Sequence, residues 1–227
     1  MSEPSSQVPR PRIQGLSDLI FGLALSIGAI QLITTQSLPQ NSTQLLGVLS
    51  AFGFSFLILI NVWNRYTITI SVLPEETPGL VRLNMALLFL VVIEPYLFNL
   101  LYIQGLSSPV GQQVSLFYAI DIAGMNLILA YFTHILAKEE KNLIPKELVM
   151  RFKLTRDVLI TSALIFLYSA LPGWWTSTFL GFPDRIVIWF LALPITWLPR
   201  LAIVQFLFRS ARLGSGSGTP DLQTERP

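Results

Sequence analysis

The 227-residue sequence contains no cysteine, one histidine and few charges. Without cysteine there can be no disulfide, no thiolate metal site and no cysteine nucleophile, so the redox compartment is left open. Charged residues make up 12% of the chain, about half the share usual in soluble domains, while hydrophobic residues make up 52%. That balance defines an integral membrane protein. HExxH, Walker and nucleophile-elbow patterns are also missing, which leaves an enzymatic reading without residues to rest on. The formal net charge of +2 gives no argument for nucleic acid.

What the chain does have is apolar length. A bilayer-crossing helix needs about 20 mostly apolar residues, and six stretches qualify: 13–35, 44–66, 81–103, 113–137, 155–172 and 185–208. An even number of spans puts both termini on one side. The connections 36–43 and 104–112 carry no charge, whereas 138–156 holds six of the fifteen Lys and Arg. Arg10, Arg12, Arg65, Arg82, Arg209 and Arg212 fall on that same side, which the positive-inside rule assigns to the cytoplasm. The expected architecture is all-α, with six transmembrane helices oriented N-in and C-in. Residues 13–208 form the membrane domain between a disordered head, 1–12, and a disordered tail, 209–227, both rich in polar residues and Pro, Ser or Gly. The first segment is too long and too weakly basic at its start for a cleaved signal peptide. Residues 138–154 read as a short amphipathic surface helix broken at Pro145.

Polar residues inside apolar segments are the informative exceptions. Arg12, Ser17 and Asp18 stand at the entrance of the first span; Asn61, Trp63, Asn64 and Arg65 end the second; Arg82 and Asn84 open the third. A charge in hydrocarbon needs a partner, and these groups share a depth, so an interhelical hydrogen-bond cluster joining Asp18, Asn64 and Asn84 is expected. Snorkelling of Arg12 with a hydrated Asp18 is the alternative. Along the first span, Leu16, Ile20, Leu23, Ile27, Ile30 and Thr34 recur at helical spacing, with Leu23 some 15 Å from the cytoplasmic start. Such a stripe is a packing or lipid-facing surface, or the wall of a dry constriction. Ser26 beside it either offers its hydroxyl to an ion or bonds back to the carbonyl four residues earlier. Gly22, Ala24, Gly28 and Ala29 fall off the stripe as small surfaces for close helix approach. Glu94 and Asp121 come out at a similar depth in spans three and four. They would line an outer vestibule, form a proton site, or be buried and protonated against Asn99 or Asn126. His134 reads as an interfacial residue.

Arg12, three residues, then Leu16-Ser17-Asp18 followed by Phe21 resembles the arginine-x3-phenylalanine-serine-aspartate signature of the transmembrane protein 175 family of endosomal, lysosomal and prokaryotic potassium channels. The likeness continues through the Asn61–Arg65 cluster and Asn84; Leu16 departs from it, standing where the family has phenylalanine. The later spans match only in hydropathy and spacing. The resemblance implies a homotetramer of six-helix subunits whose central pore is lined by helix one and lacks a TVGYG filter loop. No TVGYG run occurs here. By position, Leu23, Ile27 and Ile30 fall on the family's apolar pore-lining residues and Ser26 on a common threonine or serine. Arg12, Ser17, Asp18, Asn64 and Asn84 become the structural network. The implied function is a K+-permeable channel, weakly selective over Na+, in a prokaryotic plasma membrane, since the chain holds a single set of six spans. Its partners are its own copies, lipid, K+ and Na+ or H+. It uses no cofactor, and no metal beyond transient K+. A secondary transporter or proton/cation pathway through Glu94 and Asp121, and a noncatalytic scaffold, are the competing classes; Pro194 and Pro199 in span six fit a transporter's broken helix, but no internal repeat does.

Overall fold

The structure, a computed structural model, describes residues 12–34, 39–73, 77–106, 108–138, 146–174, 177–179, 182–192 and 194, without the side chains of 12–13, 31–34, 146–147 and 182. The head, the tail and the inner part of the sixth span, including Pro199, lie outside the described residues.

Hydrogen-bonding constraints in hydrocarbon favour helices, and helices form where expected: α1 (Arg12–Thr34), α2 (Ser42–Ile70), α3 (Pro78–Gln104), α4 (Pro109–Ala137), α5 (Lys146–Ser169) and α6, residues 184–192. Their starts are written locally. Asn41 caps α2, its Oδ1 accepting from the Gln44 amide at 2.8 Å. Thr77 and Ser108 cap α3 and α4 ahead of Pro78 and Pro109, at first-turn positions where no backbone N–H is needed.

The architecture departs from the sequence expectation at the fifth helix. The fifth helix begins at Lys146, not at 155, so residues 146–154 continue the span instead of forming a separate surface helix. Their packing explains it: Val149 and Phe152 bury against Leu136 and Ala137 of α4, with Val72 and Leu73 after α2 closing the patch. The connection to α6 holds a short antiparallel pair, β1 (Thr178–Phe179) with β2 (Phe182–Pro183), a local feature of a loop in an otherwise all-helical fold. Among the described residues three helices, α2, α3 and α4, are long and apolar enough by themselves to cross a membrane. In α1 the described apolar stretch is Gln14–Ile30, and α5 carries Arg151, Lys153, Arg156 and Asp157 in its first half.

Helix α4 is the most buried of these spans and packs against α5, α3 and α2, whereas α1 lies to one side, against α3 and α2. A series of ring contacts ties the bundle together: Phe54 of α2 to Phe98 of α3 at 6.2 Å, Phe98 to Tyr118 of α4 at 5.6 Å, Tyr118 to Trp189 of α6 at 5.1 Å, and Trp189 to Phe166 of α5 at 6.2 Å. The Trp189 indole N–H donates to Ser169 Oγ at 2.7 Å, so the largest ring buries without an orphaned donor.

The tight α3–α4 turn depends on two glycines. Gly105 has φ +68°, a left-handed value that a side chain would strain. At Gly111 an added Cβ would sit 1.7 Å from the Gly105 carbonyl oxygen. Gly111→Ala is therefore expected to destabilise the protein by about 1–3 kcal/mol, the usual range for overpacking. Gly124→Ala, which would meet only the mobile Leu90 methyl at 2.9 Å, should cost less. Thermal unfolding of the two variants in the same detergent checks the order; equal losses would contradict it.

Candidate functional site

Helix α1 has two unlike faces. Ser17, Phe21 and Ala24 are buried against α2 and α3, while Leu16, Leu19, Leu23, Ser26, Ala29 and Ile30 are exposed, together with the glycines 15 and 22. Steps of three and four residues connect the exposed set, so it is one continuous strip along the helix. The strip overlaps the expected one without coinciding. Leu16, Leu23 and Ile30 lie on it, but Ile20 packs against the core and Ile27 is half-buried. Leu19, 70% exposed, is the strip's most open leucine, and spacing from Leu23 in steps of four would have found it. Gly22 and Ala29, expected off the strip, sit on it and thin it locally; Ala24 is buried and Gly28 half-buried.

Ser26 takes the local option: its hydroxyl donates to the Gly22 carbonyl at 2.8 Å. The bond occupies the hydroxyl's only proton, so the oxygen can meet any further group only as an acceptor.

The rotation that presents this strip is set by polar contacts. Ser17 Oγ accepts from the Tyr66 hydroxyl of α2 at 2.6 Å and from Asn84 Nδ2 of α3 at 3.2 Å, and all three residues are buried. The Phe21 ring packs on Tyr66 at 5.5 Å, one turn further along. Asp18, next in sequence but exposed, accepts from the Trp63 indole at 3.1 Å. The expected cluster is thus split. Asn84 meets Ser17 instead of Asp18, because adjacent helical residues point about 100° apart and Ser17 is the one aimed into the bundle. Trp63, not Asn64, supplies Asp18's donor; Asn64 is half-buried on the same turn of α2. Arg65 is buried, its Nε donating to Asn61 Oδ1 at 3.3 Å. The side chain of Arg12 lies outside the described residues. Tyr66 is the residue that sequence reading missed, although a tyrosine three positions after Trp63, at the level of Ser17, was a usable signal.

Glu94 and Asp121 face the bundle interior, at 0% and 3% exposure, and within this chain do not open to an outer vestibule. Glu94 accepts hydrogen bonds from Ser55 of α2, at 2.9 Å and 3.1 Å to its two oxygens, and from Tyr118 of α4 at 3.1 Å. Asn126, expected as a partner, instead donates to the Ile122 carbonyl at 2.8 Å. Ser55 and Tyr118 were legible as hydroxyls in apolar spans, but their meeting depends on helix rotation. His134 is exposed in the last turn of α4, with Nδ1 3.4 Å from Arg156 Nη1. Among the described residues no group of three or more His, Cys, Asp or Glu is placed to hold a metal ion.

Residues 12–95 match the sequence pattern of the family described as endosomal/lysosomal potassium channel TMEM175. That stretch contains α1, α2 and the part of α3 that carries Asn84, and so both the Ser17 and the Asp18 contacts. Two solved structures share the fold. One is a lysosomal potassium-selective channel TMEM175 homolog from Chamaesiphon Minutus, 17% identical, with a TM-score of 0.57 over 83% of this chain and 96% of that one. The other is a point variant of the potassium channel MtTMEM175 in complex with a Nanobody-MBP fusion protein, 17% identical, with a TM-score of 0.58 over 87% and 95%. A comparison with curated protein sequences found no match.

Ser17→Ala would leave the buried Tyr66 hydroxyl and Asn84 amide without their shared acceptor, at a cost of about 1–3 kcal/mol for each group left unsatisfied. Asp18→Asn, at the exposed edge, should cost less. Thermal unfolding checks the ranking, and a Ser17→Ala protein as stable as the parent would remove the junction from the account.

Proposed function

We propose that this multi-pass membrane chain, whose residues 12–95 match the TMEM175 family pattern and whose fold is shared with two solved channels, is a member of that family and a potassium-permeable channel in which α1 lines the ion path. The observation that carries the reading is the exposed strip of α1. An open leucine face on a membrane helix meets lipid, copies of itself or an ion pathway, and the family match over this same helix favours the last two. The two solved channels are described as potassium-selective and as a potassium channel, and the same ion is proposed here. The proposed assembly is a homotetramer with α1 nearest the axis, seated in the plasma membrane of a prokaryote.

In that arrangement Leu23, about 16 Å from the helix start by helical rise, contributes a ring of branched side chains near mid-membrane. A narrow apolar ring resists wetting, and an ion crosses it only by shedding water. Ser26, one turn further out, supplies an oxygen whose proton is already committed to Gly22, an arrangement suited to a cation and unsuited to an anion. Ile30 continues the wall outward. Ile27, half-buried at the edge of the strip, supports the wall more than it lines it. With side chains and no carbonyl filter, discrimination between K+ and Na+ is expected to be modest. The pair Glu94 and Asp121 faces away from this strip, so the ion path does not require it.

The test is cation flux in liposomes under K+ and then Na+ gradients. Leu23→Ser should raise flux about tenfold, the change produced by lowering a barrier by about 1.4 kcal/mol, and should narrow the K+ to Na+ ratio. Ser26→Ala should lower K+ preference with assembly intact. Flux and selectivity indifferent to both substitutions would place the path elsewhere.

A further inference from the structure

The chain carries a second polar centre, remote from α1. By helical rise, Ser55, Glu94, Tyr118 and Asp121 all lie about 14–20 Å from the outer ends of their helices, deep in the membrane span. Glu94 receives two hydroxyl donors, Ser55 and Tyr118. Asp121 lies three residues after Tyr118, about one turn along the same face of α4, so it is buried beside the residue whose hydroxyl reaches Glu94. It is 97% buried by the complement of its 3% exposure, and among the described residues neither carboxyl oxygen has a hydrogen-bond partner.

Among the described residues the surrounding helices offer no compensating charge there. From α2 the facing polar group is Ser55. From α5, the apolar stretch 158–169 contains one titratable residue, Tyr168, which is exposed and packs on Trp174. From α6, Trp189 covers the Tyr118 ring, and Arg185 donates to Ser115 Oγ and the Gln112 carbonyl. Ser115 is six residues, about 9 Å along α4, above Asp121. Two uncompensated carboxylates at this spot would each carry a desolvation cost of several kcal/mol, with their mutual repulsion added. One negative charge is provided for by the two hydroxyls; a second is not.

We propose that Glu94 and Asp121 form a proton-binding site inside each subunit, with the negative charge resting on Glu94 beneath the Ser55 and Tyr118 hydroxyls and the proton held on Asp121. The reading is independent of whether α1 conducts ions. A proton is favoured over an alkali cation because Glu94's oxygens are already engaged by the two hydroxyls, leaving Asp121 as the one carboxyl free to take a positive ligand. The site joins α2, α3 and α4, so losing the proton would put like charges between α3 and α4, the first of which also carries α1.

Infrared spectroscopy of the intact protein in liposomes tests this without a mutation. At neutral pH the spectrum should contain a protonated-carboxyl C=O band that shifts when aspartate is enriched in heavy carbon at the side-chain carboxyl and does not shift with the corresponding glutamate label. Asp121→Asn should remove the band. As pH is raised the band should be lost, with thermal stability falling over the same interval in the parent and not in Asp121→Asn. If that variant does not fold, the labelled parent decides alone. The proposal is overturned by the absence of the band, by a band that follows the glutamate label, or by a band that weakens at constant pH when Na+ or K+ is raised, which would assign the site to an alkali ion.

Discussion

The Ser17 hydroxyl, accepting from Tyr66 on one helix and Asn84 on another, determines how α1 is turned. In hydrocarbon a polar side chain has no water to fall back on, so a buried serine on one helix and a tyrosine and an asparagine on two others have one economical arrangement. A helix has one rotational freedom about its axis, and this junction removes it. Once Ser17 points inward, Phe21 and Ala24 follow it into the bundle, and Leu16, Leu19, Leu23, Ser26 and Ile30 are carried to the open side. The face proposed to line the ion path therefore results from a contact that does not lie on it.

The rest of the bundle is built to hold still. Helix α4 is enclosed by its neighbours, and aromatic contacts run from Phe54 through Phe98, Tyr118 and Trp189 to Phe166, touching every described helix except α1. Helix α1 rests on α2 and α3 alone. This division of labour suits a membrane protein whose working surface is one helix: a packed scaffold sets depth and tilt, and the peripheral helix offers side chains outward. Ser26 illustrates the economy of that surface, because an intrahelical bond to Gly22 both satisfies its proton in an apolar setting and orients its oxygen.

Much of the fold was legible from the sequence, for a reason specific to membranes: an apolar run of bilayer length has few alternatives to a helix. What hydropathy cannot see is where an amphipathic extension stops. Residues 146–154 belong to α5 because Val149 and Phe152 find Leu136 and Ala137 across α4, a tertiary contact absent from any local pattern. The candidate site was legible at lower resolution. Arg12, Ser17, Asp18, Asn64 and Asn84 were grouped by depth, yet which of Ser17 and Asp18 met Asn84 hinged on a single residue step, or about 100° of rotation. The same step separates Ile20 and Ile27, which turn inward, from Leu19 and Ser26, which do not. Glu94 and Asp121 were visible as misplaced charges, but Ser55 and Tyr118 become their neighbours only when three helices are packed.

Because the native chain has no cysteine, a single introduced thiol can report on each turn of α1 without a background. Leu16→Cys, Leu19→Cys, Leu23→Cys, Ser26→Cys and Ile30→Cys, alongside Phe21→Cys and Ala24→Cys, would be reconstituted singly and their cation flux followed as a water-soluble thiol reagent is added. The account predicts inhibition along the exposed strip, strongest near Leu23, and none at Phe21 or Ala24. Inhibition at Phe21 and Ala24 with Leu19 and Leu23 unaffected, or a reagent that leaves every position conducting, would contradict the claim that this face of α1 lines the path.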